Sequence, residues 1–438
     1  MLTSQVYKRR DLYLNKLIAF QDTEPVKVVT GIRRCGKSSL LKLMVQHLLE
    51  TGVSEEQIVE MNFESLEFKN MTSDDLYHRV KRMAVPGKRI YLFFDEIQRI
   101  SAWEEAVNSF RVDLDCDIYI AGSNAYLLSS EYATYLSGRC VEIKMLPLSF
   151  QEFLYFHDFQ LLDTVSVLVG TKKKVTDSNG ESYDLREVFD AYLHFGGMPG
   201  IADVGLNQER AFTLLDGIYS TVVVRDILER EKRCGQRQIT DPDLLRKIIL
   251  FLADNIGSTV SPNSIGNALI NEGLLEGGSR KNLPSAHTVQ AYVGALLESY
   301  IIYEIKRFDI KGREFLRTLG KYYIADIGLR NYLLSFRDRD SGHVLENIVY
   351  FELLRRGYDV AIGKIDTAEI DFIATNANEK LYIQVTESMI SEDVRKRELA
   401  PLQKVRDNYK KMVLSLDPGI ETSFEGIQSR NLIDWLLS

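Results

Sequence analysis

The residues with the clearest chemistry are Gly31, Ile32, Arg33, Arg34, Cys35, Gly36, Lys37 and Ser38, which fit G-x-x-x-x-G-K-[ST] at every fixed position. Glycines in such a loop let backbone N–H groups fold around a phosphate chain, and a helix starting there adds the positive end of its dipole. Lys37 would reach the β- and γ-phosphates of a bound nucleotide, and the Ser38 hydroxyl would ligate Mg²⁺. With Ser39 these residues are the candidate ATP-binding loop. A second group, Asp95-Glu96, closes the apolar run Arg89 to Phe94. Asp95 would hold Mg²⁺ together with Ser38, and Glu96 would orient or deprotonate the attacking water.

Such groups work only if strands and helices deliver them to one edge. Val26 to Thr30 reads as a strand before the loop, and Ser39 to Leu49 as a helix after it, stopped by Thr51-Gly52. Ile58 to Phe63 alternates as a second strand. Thr72 to Asp75 offers cap residues for a helix that Pro86-Gly87 ends. Arg89 to Phe94 is a buried strand, and in doubly wound sheets ligands bind at the carboxyl ends of strands. Asp117 to Ala121 is a further strand running into Gly122-Ser123-Asn124, which places a polar side chain near the γ-phosphate. An amphipathic helix from Arg10 to Phe20 leads into this core.

The loop, the Asp-Glu strand and the strand ending in Ser-Asn resemble the Walker A, Walker B and sensor 1 elements of an AAA+ ATPase, with Asn124 as the sensor by that comparison. Ser137-Gly138-Arg139 and Leu146-Pro147-Leu148-Ser149-Phe150-Gln-Glu152-Phe153 sharpen the match. Together they resemble the bacterial and archaeal ATPases, AAA_14 in type, whose AAA+ core is followed by a domain called DUF4143. The resemblance implies that Arg139 is an arginine finger or transition-state sensor, beside the alternative of a structural ion pair. It also implies that Phe195-Gly-Gly-Met-Pro199-Gly200 and Val224 to Leu228 shape a lid over the nucleotide.

From Gln151 to about Arg237 the pattern is helical, interrupted by the polar insert Gly170 to Gly180, where Lys172, Lys173 and Lys174 read as a solvated loop tip. From Pro242 to about Asp326 the order helix, helix, helix, hairpin resembles a winged helix. Its third helix, Ser285 to Ser299, has no Lys or Arg, which argues against major-groove reading. The hairpin carries Lys306, Arg307, Lys311, Arg313 and Arg317, the candidate DNA contacts, with an interdomain or subunit contact as the alternative. The last stretch resembles a PD-(D/E)xK nuclease core: helix Glu346, strand Glu369-Ile-Asp371, then Gln384-Val-Thr386. Gln384 stands for the second acid and Thr386 for the lysine, so the expectation is a nuclease-like domain that has lost cutting activity.

Composition bounds these readings. Four cysteines without C-x-x-C spacing argue against a disulfide framework or zinc site and fit a reducing cytoplasm. No apolar run approaches the ~18 residues of a membrane span. A net charge of −8 means that nucleic-acid binding must rest on a local basic patch. The expectation is an α/β chain: a P-loop AAA+ parallel-sheet core (1–150), a helical lid (151–240), a winged-helix domain (241–335) and a restriction-endonuclease-like α/β domain (336–438). ATP and Mg²⁺ are the expected cofactors. DNA is the expected partner, together with a homo-oligomer, a hexamer among the sizes open. A nucleotide-gated switch binding proteins and an ATP-regulated nuclease are the alternatives.

Overall fold

The computed structural model describes residues 7–123, 138–162, 173–222, 227–228, 239–271, 284–315, 320–335, 341–418 and 422–438. The chain divides into two compact units, one of Met1–Leu146 with Glu298–Tyr300, the other of Pro147–Leu297 with Ile301–Ser438.

The first unit opens with α1 (Asp11–Ala19), whose Tyr13, Leu14 and Leu17 are buried. Its sheet consists of β1 (Val26–Thr30), β2 (Ile58–Asn62), β3 (Ile90–Asp95), β4 (Cys116–Ala121) and β5 (Cys140–Lys144), all parallel, in the order β2-β3-β4-β1-β5. Strands β1 and β3 are buried along their whole length, which is why they read as continuous apolar runs rather than alternating ones. Inside β1, Lys27 is fully buried and pairs with Asp117 on β4, an ion pair that binds the two strands at their N-terminal ends. Three helices connect the strands: α2 (Lys37–Glu50), α3 (Ser73–Met83) and α4 (Trp103–Asp113). Helix α3 starts at Thr72, which forms a capping box with Asp75, as the cap residues suggested. Helix α4 and strand β5 were not legible in the sequence pattern. Their apolar residues, Trp103, Val107 and Phe110 on α4 among them, find partners only on the assembled sheet.

The second unit begins with α5 (Phe150–Phe156), opened by the capping box of Ser149 and Glu152. Three short antiparallel strands follow: β6 (Gln160–Leu162), β7 (Lys174–Thr176) and β8 (Ser182–Asp184). The expected lysine loop tip is therefore partly a strand: Lys174 starts β7, Lys173 pairs with Asp434 at 2.8 Å, and Lys172 lies outside the described residues. Next come α6 (Leu185–Phe195), α7 (Gly200–Val204), α8 (Gln208–Thr221), α9 (Pro242–Asp254), β9 (Thr259–Val260), α10 (Pro262–Asn271) and α11 (Ala286–Glu298).

The hairpin region is more divided than its sequence suggested. It holds four strands, β10 (Ile302–Ile305), β11 (Arg307–Asp309), β12 (Glu314–Phe315) and β13 (Gly320–Ile324). Strands β10 and β13 form a three-stranded antiparallel sheet with β9 in the order β10-β13-β9. Strands β11 and β12 instead form the edge of an eight-stranded sheet. The other six strands are β14 (Asp359–Ile365), β15 (Ala368–Thr375), β16 (Lys380–Val385), β17 (Lys410–Ser415), β18 (Thr422–Phe424) and β19 (Ile427–Asn431). The order is β12-β11-β14-β15-β16-β17-β19-β18. Helices α12 (Ile327–Leu334), α13 (Ser341–Arg355), α14 (Glu392–Lys404) and α15 (Leu432–Leu436) complete the chain.

The Gly196-Gly197 pair, expected to shape a lid over the nucleotide, lets the end of α6 meet the start of α12, and Val224 to Asp226 of the same expectation lie outside the described residues. A Cβ on Gly196 would lie 2.3 Å from Asp326 Oδ1. Asp326 Oδ2 accepts the Gly197 N–H at 2.6 Å, and Oδ1 accepts the Leu329 N–H at 2.9 Å.

Candidate functional site

The loop after β1 turns on its glycines. Gly31 has φ +139°, and a Cβ there would sit 2.1 Å from the Met145 carbonyl oxygen just after β5, so only glycine passes. Gly36, at φ 104°, caps α2 so that Lys37 and Ser38 lie in its first turn. The loop is held from below: Arg10 is buried, donates through Nη1 to the Cys35 carbonyl at 2.9 Å, and lies 4.7 Å over the Tyr13 ring. The Tyr13 hydroxyl accepts the Leu146 N–H at 3.2 Å.

Lys37 is 5% exposed, and its ammonium donates to the Gly31 carbonyl at 2.8 Å and the Ile32 carbonyl at 3.0 Å. The cation thus lies inside the loop it would share with a phosphate. Ser38 Oγ donates to Asp95 Oδ2 at 2.6 Å, so the loop helix and the end of β3 meet through the two side chains expected to share a metal. Asn62, at the end of β2 and in register with Asp95, donates through Nδ2 to the same oxygen at 3.2 Å. Asp95 Oδ1 is buried without a hydrogen-bond partner. Burial raises the Asp95 carboxyl above its ordinary range and the Glu96 charge adds to the rise, while the Ser38 hydrogen bond and Lys37 oppose it. A buried carboxylate oxygen left open beside a hydroxyl is a hard-oxygen donor set of the kind a small divalent cation takes.

Glu96 stands in the left-handed region (φ 57°, ψ 38°) with its N–H on the Ala121 carbonyl at 2.8 Å, which turns the chain sharply at the tip of β3. Its carboxylate accepts from Gln98 Nε2 and from Ser123 Oγ, the latter at 3.3 Å. Asn124 lies outside the described residues. Arg33, in the loop, pairs with Glu64, which also accepts from Arg99 at 3.2 Å. Arg34 is exposed at φ 64°, Ile32 and Cys35 are buried, and Ser39 is half-buried.

Arg139 is not brought to these residues. It is exposed, and its carbonyl accepts the Val26 N–H at 2.9 Å, at the start of β1 and β5. The loop leaves the other end of β1, roughly 16 Å away at the ordinary strand rise. Arg139 therefore does not belong with Lys37, Asp95 and Glu96 as a group of the same chain's site.

In the second unit the hairpin residues differ in setting. Lys306, Lys311 and Arg313 are exposed, Lys311 pairs with Asp366 at 2.6 Å, Arg307 lies 3.9 Å from Glu369, and Arg317 falls outside the described residues. Three of the four nuclease-like positions, Glu346, Glu369 and Asp371, act on a residue the sequence did not single out. Lys321, on β13, places its ammonium 2.8 Å from Glu369 Oε1 on β15 and 3.4 Å from Glu346 Oε2 on α13. Asp371 Oδ2 accepts the Val385 N–H at 2.8 Å, and Gln384 Oε1 accepts the Asp371 N–H at 3.4 Å. Burial, followed by the Glu346 charge, holds the Asp371 carboxyl well above its ordinary range. Asn62, Gln98 and Lys321 were missed because nothing in their own neighbourhoods marks them. Of the three, only Asn62 had a usable signal, its place at the carboxyl end of a strand.

Comparison with known proteins supports the first unit's reading. Residues 23–154 match the model of an AAA domain, AAA_14. Residues 186–340 match a domain of unknown function, DUF8612, where DUF4143 was expected. An uncharacterized protein of Haemophilus influenzae is 38% identical over 433 residues, 98% of each chain. The uncharacterized protein MJ1544 of Methanocaldococcus jannaschii is 30% identical over 410 residues, 90% of this chain and 83% of that one. Among solved structures, the Walker-type ATPase PABY2304 of Pyrococcus abyssi aligns over 75% of this chain and 96% of its own with 18% identity and a TM-score of 0.46. Among the described residues no helix is long and apolar enough to cross a membrane.

Proposed function

This chain belongs to the same family as those two uncharacterized proteins and carries an AAA domain, and we propose that it hydrolyses ATP with Mg²⁺ and uses the turnover to move its C-terminal modules. The observation that carries this reading is the 2.6 Å hydrogen bond between Ser38, in the helix that the glycine-bounded loop opens, and Asp95 at the end of β3. Lys37 exchanges the Gly31 and Ile32 carbonyls for phosphate oxygens and holds positive charge where negative charge grows in the transition state. Ser38 and Asp95 hold the metal, and Asn62 fixes the Asp95 carboxylate. Mg²⁺, when bound, neutralises phosphate charge. Glu96, oriented by Gln98 and Ser123, positions the attacking water and accepts its proton. Arg139, exposed at the far end of the sheet, acts as a finger only toward a neighbouring subunit's nucleotide, and so implies a homo-oligomer.

DNA is the proposed partner of the motion. Helices α9, α10 and α11 with the sheet β10-β13-β9 support a winged-helix reading, and exposed Lys306, Lys311 and Arg313 supply phosphate-binding charge. Helix α13 with strands β14 to β17 supports the nuclease-like reading, and the divisions at residues 150, 240 and 335 are kept with it. One observation favours the nucleotide-gated switch instead: the basic hairpin is hydrogen-bonded into the eight-stranded sheet, with Lys311 already paired. Steady-state ATPase rates of the natural chain and Lys37→Ala, with single-stranded, duplex and branched DNA at two salt concentrations, separate the two. Stimulation by one DNA form that weakens with salt, with turnover abolished in Lys37→Ala, supports the motor. A Lys37-dependent rate that no DNA form changes overturns DNA as the partner.

A further inference from the structure

The nuclease-like reading of the eight-stranded sheet implies a divalent metal held by Glu346, Asp371 and an acid at position 384, with a lysine at 386. The side chains present do not fit it. Position 384 is an amide turned to the Asp371 backbone, and the Thr386 hydroxyl lies 3.5 Å from the Ser388 carbonyl. One oxygen of each acid is already engaged by hydrogen-bond donors: Lys321 on Glu369 Oε1 and Glu346 Oε2, the Tyr323 hydroxyl on the same Glu346 Oε2 at 3.0 Å, and the Val385 N–H on Asp371 Oδ2. Among the described residues no cluster of His, Cys, Asp and Glu is arranged to hold a metal ion.

Lys321 is not a surface residue that happens to fall nearby. Its side chain is 5% exposed and that of Glu346 9%, so neither charge is neutralised by water. Buried carboxylates need a cation or a proton, and an ammonium with three donors satisfies several oxygens without the octahedral oxygen shell that Mg²⁺ demands. The lysine also comes from a different sheet. Strand β13 is fixed to α13 at two further points, where Asn347 pairs with both the N–H and the carbonyl of Ile324 at 2.9 and 3.0 Å.

We propose that Lys321 is a built-in cation taking the place of a metal ion among Glu346, Glu369 and Asp371, so that these acids bind the three-stranded sheet to the eight-stranded one instead of binding a divalent metal. The proposal rests on the nuclease-like reading of that sheet.

The test is thermal unfolding of the full chain with and without MnCl₂, in an Asp95→Asn background without nucleotide so that the loop site contributes no metal response. The parent is expected to show no shift with Mn²⁺. Lys321→Met is expected to unfold roughly 10 °C lower, as a broken buried pair does, to recover stability with Mn²⁺, and to lose that recovery when Asp371→Asn is added. Should Lys321→Met fail to fold, Lys321→Arg and Glu369→Gln keep the test: both retain the cation and are expected to show no Mn²⁺ shift, and a shift in either overturns the proposal. A parent that binds Mn²⁺ through Asp371 overturns it as well. A fall in Tm without Mn²⁺ recovery means that the oxygens form no metal site, and the nuclease-like reading fails with the proposal. Nicking of supercoiled plasmid by the parent with Mn²⁺, lost in Lys321→Met, keeps the nuclease-like reading and overturns the proposal, since the lysine then serves catalysis.

Discussion

Ser38 Oγ and Asp95 Oδ2 lie 2.6 Å apart, joining the first turn of the loop helix to the end of β3. Burial raises the Asp95 carboxyl, so a proton competes with the metal up to a higher pH than at an ordinary aspartate. The expected result is an ATPase rate whose acidic limb lies above the ordinary carboxylate pKa of about 3.9. Asp95→Asn should lower kcat by about 100-fold or more, in the range of losing a charge-stabilising group. Steady-state rates across pH check both.

Asn62 holds the carboxylate that would hold the metal, through a 3.2 Å hydrogen bond. A hydrogen bond to a charged group contributes about 1.5–3 kcal/mol. Asn62→Ala should therefore lower kcat by about tenfold or more, while KM for ATP changes little because Asn62 donates to Asp95. Rates over a range of Mg²⁺ concentrations provide the measurement, with partial recovery expected at high Mg²⁺.

Arg10 supports the loop from the N-terminal helix side through the Cys35 carbonyl. Arg10→Ala leaves that carbonyl without its buried donor and removes the stack on Tyr13, a local cost of about 1.5–3 kcal/mol. Nucleotide affinity should drop by roughly tenfold, with Arg10→Lys intermediate. Titration with a fluorescent ATP analogue reads this directly.

Asp326 carries a pH dependence in the second unit. Burial pushes its carboxyl up to about 6, although the N–H groups of Gly197, Leu329, Gly328 and Met198 pull it down. In the unfolded chain the pKa is about 3.9, so between these values the native state holds more protons than the unfolded one. The contribution is thus fully present below about pH 4 and is lost as pH rises through about 6, a change of about 3 kcal/mol. Urea unfolding from pH 4 to pH 7 should show this slope in the natural chain and not in Asp326→Asn. Equal slopes in both would count against the assignment.

The nucleotide loop was legible in the sequence because its requirements are local. Gly31 and Gly36 answer backbone conformations of their own residues, Lys37 and Ser38 follow from the helix they open, and Asp95 follows from the apolar strand it ends. Caps such as Thr72 act within three residues and were read for the same reason.

The rest depended on partners far along the chain. Asn62 meets Asp95 across 33 residues, Gly197 meets Asp326 across 129, and neither pair has a pattern that marks it. The basic hairpin read as one wing, but its inner strands, β11 and β12, join the sheet of β14 and its outer ones, β10 and β13, the sheet of β9, because strand pairing depends on which edge is open in the folded chain. The sequence by itself determined that a phosphate loop, its helix and an acidic strand end occur in order. Only the tertiary structure decided that Arg139 sits at the far end of the sheet and that Lys321 lies among the acids of the C-terminal domain. The first follows from which strand lies beside β1, and the Lys321 pairs are chosen by burial, which exists only once the sheets have assembled.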